Sequence, residues 1–194
     1  MSDELHNDKY TRETRLIYGR GHSEKWDYSH HVIPPISSSA TYRLDSAQRG
    51  AQGFIEFAHT TEDTRSRAPI YIYDRLGEPN KDILEENLAF AENGDAAITF
   101  ASGMAAISAV FGILLKSGEQ IIAHPTLYGC TYSLLTLWYP RYNIDVVFQN
   151  MHDVDALASA ITEKTRVIFF ESPINPTMGL IDIPAITALV AKAN

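Results

Sequence analysis

From Pro79 onward the sequence predicts a mostly parallel, doubly wound α/β sheet, on three observations. Helix-like and strand-like segments alternate four times. The connections between them are short, as in crossovers that return each strand parallel to the last. The strand-like runs are apolar and rich in β-branched residues, the pattern of buried strands.

The first helix is expected at Pro79-Asn80, since proline suits an opening turn. Four-residue spacing pairs Leu84 with Leu88 and Ile83 with Asn87, and Asn93-Gly94 supplies a stop. "AAITFA" (96–101) reads as a buried strand, and "MAAISAVFGILLKSG" (104–118) as a helix closed by Gly118. "QIIAHP" (120–125) reads as a strand, "CTYSLLTLWYPRY" (130–142) as a helix and "IDVVFQ" (144–149) as a strand. "DVDALASAIT" (153–162) is a helix opened by Asp153, and "RVIFFES" (166–172) a β-branched and aromatic strand. "DIPAITALVAKAN" (182–194) reads as a final helix.

Residues 1–70 differ: loop formers in "VIPPISSSATY" (32–42), many charges and no long period mark an extended arm. Within it "AHTTEDTRSRAP" (58–69) is polar enough for a mobile loop. The expected division is an arm over 1–70 and the first part of an α/β domain over 71–194.

Composition excludes several classes. A net charge of −8 argues against nucleic acid or an anionic membrane as partner. One cysteine, Cys130, precludes an intrachain disulfide and points to a reducing compartment. The longest apolar run (105–115) is too short to cross a bilayer, and the polar N-terminus lacks a signal-peptide core. The expectation is a soluble, cytoplasmic protein. No His-x-x-x-His spacing occurs among the histidines, His30-His31 reads as arm surface, and no metal is expected.

"TFASGMAAIS" (99–108) sets Ser102-Gly103-Met104 at a strand-to-helix joint. Ligands of open α/β sheets gather at such joints, and a helix N-terminus with free N–H groups suits a phosphate. Glycine admits close backbone approach, and serine caps the helix or donates to the anion. The plain alternative is an N-cap and a tight turn. No Gly-x-x-x-x-Gly-Lys-Ser/Thr loop exists, and Gly19-Arg20-Gly21 lacks a third glycine and a preceding strand. A phosphate ester smaller than ATP or a dinucleotide remains.

Four stretches in order extend this: "YIYDRLGEPN" (71–80), "ASGMAAI" (101–107), "TLYGCTYSLL" (126–135) and "FFESPINPTMGLIDI" (169–183), with "VIPPISSSATY" upstream. Together the sequence resembles the pyridoxal phosphate (PLP) enzymes of cysteine and methionine metabolism, the transsulfuration group. It includes cystathionine synthases and lyases, methionine γ-lyase and O-acetylhomoserine sulfhydrylase. The resemblance implies the fold type I, aminotransferase-like large domain. It implies that Ser102, Gly103 and Met104 cradle the cofactor phosphate. Tyr73 and Arg75 would reach that phosphate from the neighbouring subunit of a dimer or tetramer, through charge-assisted bonds. Their plain alternative is a solvated loop pair. Glu78-Pro79-Asn80 departs from the Asn-Pro-Thr common there.

By the same resemblance Tyr128 stacks on the cofactor ring and acts as acid or base at the leaving group, its pKa lowered by nearby cations. Asn175 bonds the cofactor's 3-hydroxyl, and Glu171 supports the site. The alternatives are a core tyrosine and strand-end caps. Cys130 leans the resemblance toward methionine γ-lyase as a substrate-side thiol; otherwise it is inert core.

The family's Schiff-base lysine, its aspartate partner for the pyridine nitrogen and the arginine for the substrate carboxylate lie downstream of the Glu-Ser-Pro-x-Asn-Pro turn. Lys116 and Lys164 match no family lysine. The sequence thus resembles the N-terminal half of a longer enzyme, expected to be inactive alone, with a homo-oligomer or a complementary C-terminal polypeptide as the expected partner. The activity implied is γ-elimination or γ-replacement on a sulfur amino acid or activated homoserine. Alternatives are an O-acetylhomoserine sulfhydrylase, a cystathionine β-lyase, a non-catalytic binding module, or an unrelated α/β protein for a phosphate ligand.

Overall fold

The computed structural model describes residues 11–17, 35–59 and 69–193. Residues 60–68 of the expected mobile loop lie outside these, as do Gly19-Arg20-Gly21 and His30-His31. The chain divides into two compact units, Met1–Thr99 and Phe100–Asn194.

In the first unit α1 (Arg12–Ile17) and α2 (Ala47–Ala58) precede α3 (Pro79–Glu92). A helix at 47–58 corrects the expectation of an arm without periodic structure. Its glycines obscured it by lowering helix propensity, yet they serve close packing. A Cβ on Gly50 would stand 3.0 Å from Leu44 Cδ1, and one on Gly53 would stand 3.0 Å from Ile70 Cγ2. Ser46 Oγ caps α2, accepting the Arg49 N–H at 3.1 Å. Glu78 caps α3, which stops as expected at a left-handed Asn93 (φ 55°, ψ 34°).

The expected strand at 96–101 is absent. Ile98 is 72% exposed, and both the N–H and the hydroxyl of Thr99 donate to Glu85 Oε1, at 2.7 and 2.9 Å. The backbone is thus held by a side chain of α3.

The second unit runs α4 (Gly103–Leu114), β1 (Gln120–Ala123), α5 (Gly129–Ser133), β2 (Asp145–Phe148), α6 (Val154–Ala160), β3 (Thr165–Phe169) and α7 (Ile183–Ala193). The strands are parallel in the order β2-β1-β3, with Ile121 opposite Val146 on one side and Val167 on the other. Every residue of β1 is buried, and its alternation feeds two cores. Ile121 and Ala123 join Phe111, Leu115, Leu127, Leu135 and Tyr139. Ile122 joins Met151, Leu157, Ile174, Ile181 and Ile186. Apolar layers on both faces are what a crossover-connected parallel sheet requires.

Two helices differ from their expected extents. α4 ends at Leu114 with Leu115 extended, and Gly118 (φ +88°) turns the chain into β1 rather than closing the helix. The helix expected at 130–142 is α-helical only to Ser133, then a π-turn over Leu134–Trp138 and a 3-10 turn over Tyr139–Tyr142. Pro140 is the cause: its ring crowds the carbonyl four residues back and it has no N–H to give. Tyr139 N–H accordingly reaches back five residues to the Leu134 carbonyl. Among the described residues no helix is long and apolar enough to cross a membrane.

Candidate functional site

Parallel strands deliver their following loops to one edge of the sheet, so the segments after β1 and β3 converge there. Tyr128 lies five residues beyond β1, and Glu171 two beyond β3. They are joined: the Tyr128 N–H donates to Glu171 Oε1 at 2.7 Å. Each loop is also braced internally. His124 Nδ1 lies 3.1 Å from both the Thr126 nitrogen and the Thr126 carbonyl oxygen, bracing the loop after β1. After β3, Ile181 N–H donates to Ser172 Oγ at 3.1 Å, Ile174 N–H to the Gly179 carbonyl at 2.8 Å, and Met178 N–H to the Ile174 carbonyl at 2.7 Å. Asn175 is exposed at the rim of that closed loop.

Ser102 caps α4 from an extended conformation, its Oγ accepting the Ala105 N–H at 3.1 Å, while its carbonyl accepts the Ala106 N–H. The N–H groups of Gly103 and Met104 come before those two bonds, in the turn where a helix has no acceptors of its own. A Cβ on Gly103 or on Gly129 would meet no heavy atom within 4 Å. The helix end therefore opens on free space, bounded by N–H donors and the positive end of the α4 dipole, an arrangement that fits a phosphate. Met104 is tied to α5, since the fully buried Thr131 donates from Oγ1 to Met104 Sδ at 3.5 Å.

Tyr128 is 48% exposed, so it is not a core tyrosine. Its phenol pKa is raised above the usual 10.0, first through a hydrogen bond with Cys130, then by the charge of that thiol's ionised form, then by burial. This reverses the lowering expected from cations, because the titrating neighbour is a thiol two residues along the loop. Cys130 is exposed, not core. Replacing Cys130 with Ala is expected to shift the phenolate absorbance titration of Tyr128 to lower pH. A titration that did not move would remove the thiol as the cause.

Tyr73 and Arg75 belong to the first unit. Both are exposed, and the guanidinium lies 5.5 Å from the centre of the Tyr73 ring. The described residues contain no group of three or more His, Cys, Asp or Glu placed to hold a metal.

Thr131 and His124 went unnoticed in the sequence. The signal for Thr131 was slight: a hydroxyl three residues after Tyr128 on an otherwise apolar helix face.

Comparison with known proteins now bears on this geometry. A family profile described as "Cys/Met metabolism PLP-dependent enzyme" matches residues 13–194. The L-methionine gamma-lyase of Fusobacterium nucleatum subsp. polymorphum is 36% identical over 156 residues, 80% of this chain and 37% of that protein. The cystathionine beta-lyase MetC of Bacillus subtilis is 40% identical over 185 residues, 95% of this chain and 42% of that protein. Among solved structures, an O-acetylhomoserine (thiol)-lyase from Campylobacter jejuni, containing N'-pyridoxyl-lysine-5'-monophosphate, aligns with a TM-score of 0.77. It shares 28% identity over 94% of this chain and 42% of that one. The parallel sheet described above is thus part of a fold type I large domain. The chain spans about two fifths of the length of these relatives. By its sequence over residues 13–194, and by its fold, the chain belongs to the Cys/Met-metabolism family of PLP-dependent enzymes.

Proposed function

We propose that the chain forms the phosphate-binding and leaving-group part of a PLP-dependent enzyme acting on a sulfur amino acid or activated homoserine by γ-elimination or γ-replacement. The observation that carries this reading is the Tyr128–Glu171 bond, which fixes the main chain of Tyr128 at the same sheet edge at which α4 opens toward an anion. When bound, PLP supplies an electron sink for the charge left at the substrate's α-carbon. The rest falls to the chain. Ser102 fixes the first turn of α4 so that the Gly103 and Met104 N–H groups face the phosphate. Tyr73 and Arg75 serve the phosphate of a neighbouring subunit, Asn175 the 3-hydroxyl, and Cys130 borders the substrate. Tyr128 keeps its proton at neutral pH and donates it to the departing γ-substituent, a role its raised pKa favours over that of a base.

Lys116 and Lys164 stand just ahead of β1 and β3, at the sheet edge opposite Tyr128 and Glu171. Neither is placed to serve as the Schiff-base lysine from there; in this reading that lysine is supplied by another part of the working enzyme. Borohydride reduction with PLP, followed by intact-mass analysis of every polypeptide, is expected to place no phosphopyridoxyl adduct on Lys116 or Lys164. An adduct on either would overturn the assignment.

With methionine, the assembled enzyme is expected to consume one water and release methanethiol, 2-oxobutanoate and ammonia. The 40% identity with the cystathionine beta-lyase favours a second reading, β-elimination. Release of homocysteine and pyruvate from cystathionine would select it, whereas cysteine and 2-oxobutanoate would mark γ-elimination.

A further inference from the structure

We propose that Asn80, together with Glu78, is a positioning residue for the phosphate end of the site, acting through Tyr73 and Arg75; the inference rests on the reading of those two as phosphate ligands. The residues that depart from the family's usual Asn-Pro-Thr form a closed set of bonds. Asn80 Oδ1 accepts the Ser37 N–H at 2.9 Å, and Asn80 Nδ2 donates to the Ser37 carbonyl at 2.7 Å. One side-chain amide thus grips both polar groups of one residue, as a neighbouring strand would. The second Nδ2 proton goes to Glu78 Oε2 at 2.8 Å, which also accepts the Asn80 N–H at 3.0 Å. Glu78 Oε1 accepts the Lys81 N–H at 2.6 Å. Neither proton of the Asn80 amide is left over, and its orientation is fixed by an acidic acceptor.

What the amide grips leads to the loop. Ser37 begins a short extended segment that pairs antiparallel with the residues around Tyr73 through a Thr41–Tyr73 bridge. Tyr42 N–H donates to the Ile72 carbonyl at 3.2 Å and Asp74 N–H to the Ala40 carbonyl at 3.0 Å. Beyond the bridge the chain turns, with the Tyr73 carbonyl accepting the Leu76 N–H at 2.9 Å and the Gly77 N–H at 3.2 Å. Arg75 lies inside that turn. The turn is therefore tied at both ends: by the Ser37–Tyr42 segment before it and by the Glu78 cap after it, with Asn80 joining the two ties. Arg75 and Asn80 also line one open pocket of about 520 Å³, with Ser37 and Glu78. A flexible, exposed arginine gains little as an anion ligand unless its backbone is held, since ordering it costs side-chain entropy.

The test compares PLP with pyridoxal, which differs only by lacking the phosphate, on the PLP-binding assembly that the chain forms. The dissociation constant of pyridoxal divided by that of PLP reads the phosphate contribution. Asn80→Asp keeps the shape but replaces both donors with an acceptor facing a carbonyl and a carboxylate; it is expected to lower the ratio about tenfold with pyridoxal affinity unchanged. Asn80→Ala, which introduces no repulsion, is expected to act in the same direction. Arg75→Ala serves as the reference, lowering the ratio at least as far. A ratio unchanged in both Asn80 variants but lowered in Arg75→Ala overturns the positioning role and leaves the ligand reading intact. A ratio unchanged in Arg75→Ala overturns both. Equal weakening of PLP and pyridoxal in the Asn80 variants also overturns the proposal, since it marks a general loss of structure.

Discussion

Tyr128→Phe is expected to cut elimination by the assembled enzyme about 10²- to 10⁴-fold, the range for removing a positioned general acid, with the visible spectrum of bound cofactor unchanged. The substitution keeps the ring for stacking and the main-chain N–H that Glu171 holds at 2.7 Å. It removes only the hydroxyl. Thiol release followed spectrophotometrically checks the rate, and turnover at the wild-type level would sink the acid role. The pH profile gives a second check. Because the phenol pKa is raised above 10.0 by Cys130, the protonated, donating form persists beyond the usual range, and its loss falls on the far alkaline limb. Cys130→Ala should bring that limb to lower pH. If Tyr128 acted instead as a base, activity would rise along the same limb.

The second unit was largely legible because its signals are local. Asp153 before an apolar run announced α6 and accepts the Ala156 N–H at 2.9 Å. In the first unit, Asn93-Gly94 likewise announced the end of α3. The apolar runs of β1, β2 and β3 read as strands because both faces of the sheet are covered. Misreadings came where a distant partner overrode the local pattern. "AAITFA" has the composition of a strand, but Glu85 takes up the Thr99 N–H instead. Gly50 and Gly53 lower helix propensity, and only the side chains they approach, Leu44, Ile70 and Ile72, explain them. Pro140 warned of a break, but not of the π-turn that absorbs it.

At the site the same division holds. Motif order set Tyr128 and Glu171 after particular strands, and the parallel topology brings those ends to one edge; Ser102 and Gly103 follow an irregular segment instead of the expected strand. The tie between Tyr128 and Glu171 spans 43 residues and has no local signature. Nor does the sulfur contact from Thr131 to Met104. The sign of the Tyr128 pKa shift depends on which neighbour its hydroxyl meets, and Cys130 was read as a substrate contact rather than as that neighbour.

Phe111→Ala is expected to destabilise the second unit by about 3–5 kcal/mol, the range for a buried phenylalanine. Phe111 is 2% exposed and meets two rings edge-on, Phe169 at 5.0 Å and Tyr139 at 5.9 Å between centroids. It links α4 to the end of β3 and to the turn forced by Pro140. Ile113, on the same helix but 79% exposed, is the control. Ile113→Ala should cost no more than about 0.5 kcal/mol, as for a surface substitution. Urea titrations checked for an unchanged m value make the comparison. Equal costs would mean that α4 is not anchored through Phe111. The functional consequence follows from the helix itself: Phe111 sits two turns from Gly103, and the phosphate site depends on where the α4 N-terminus points. A Phe111→Ala protein that still folds should therefore bind inorganic phosphate or PLP more weakly, whereas Ile113→Ala should not.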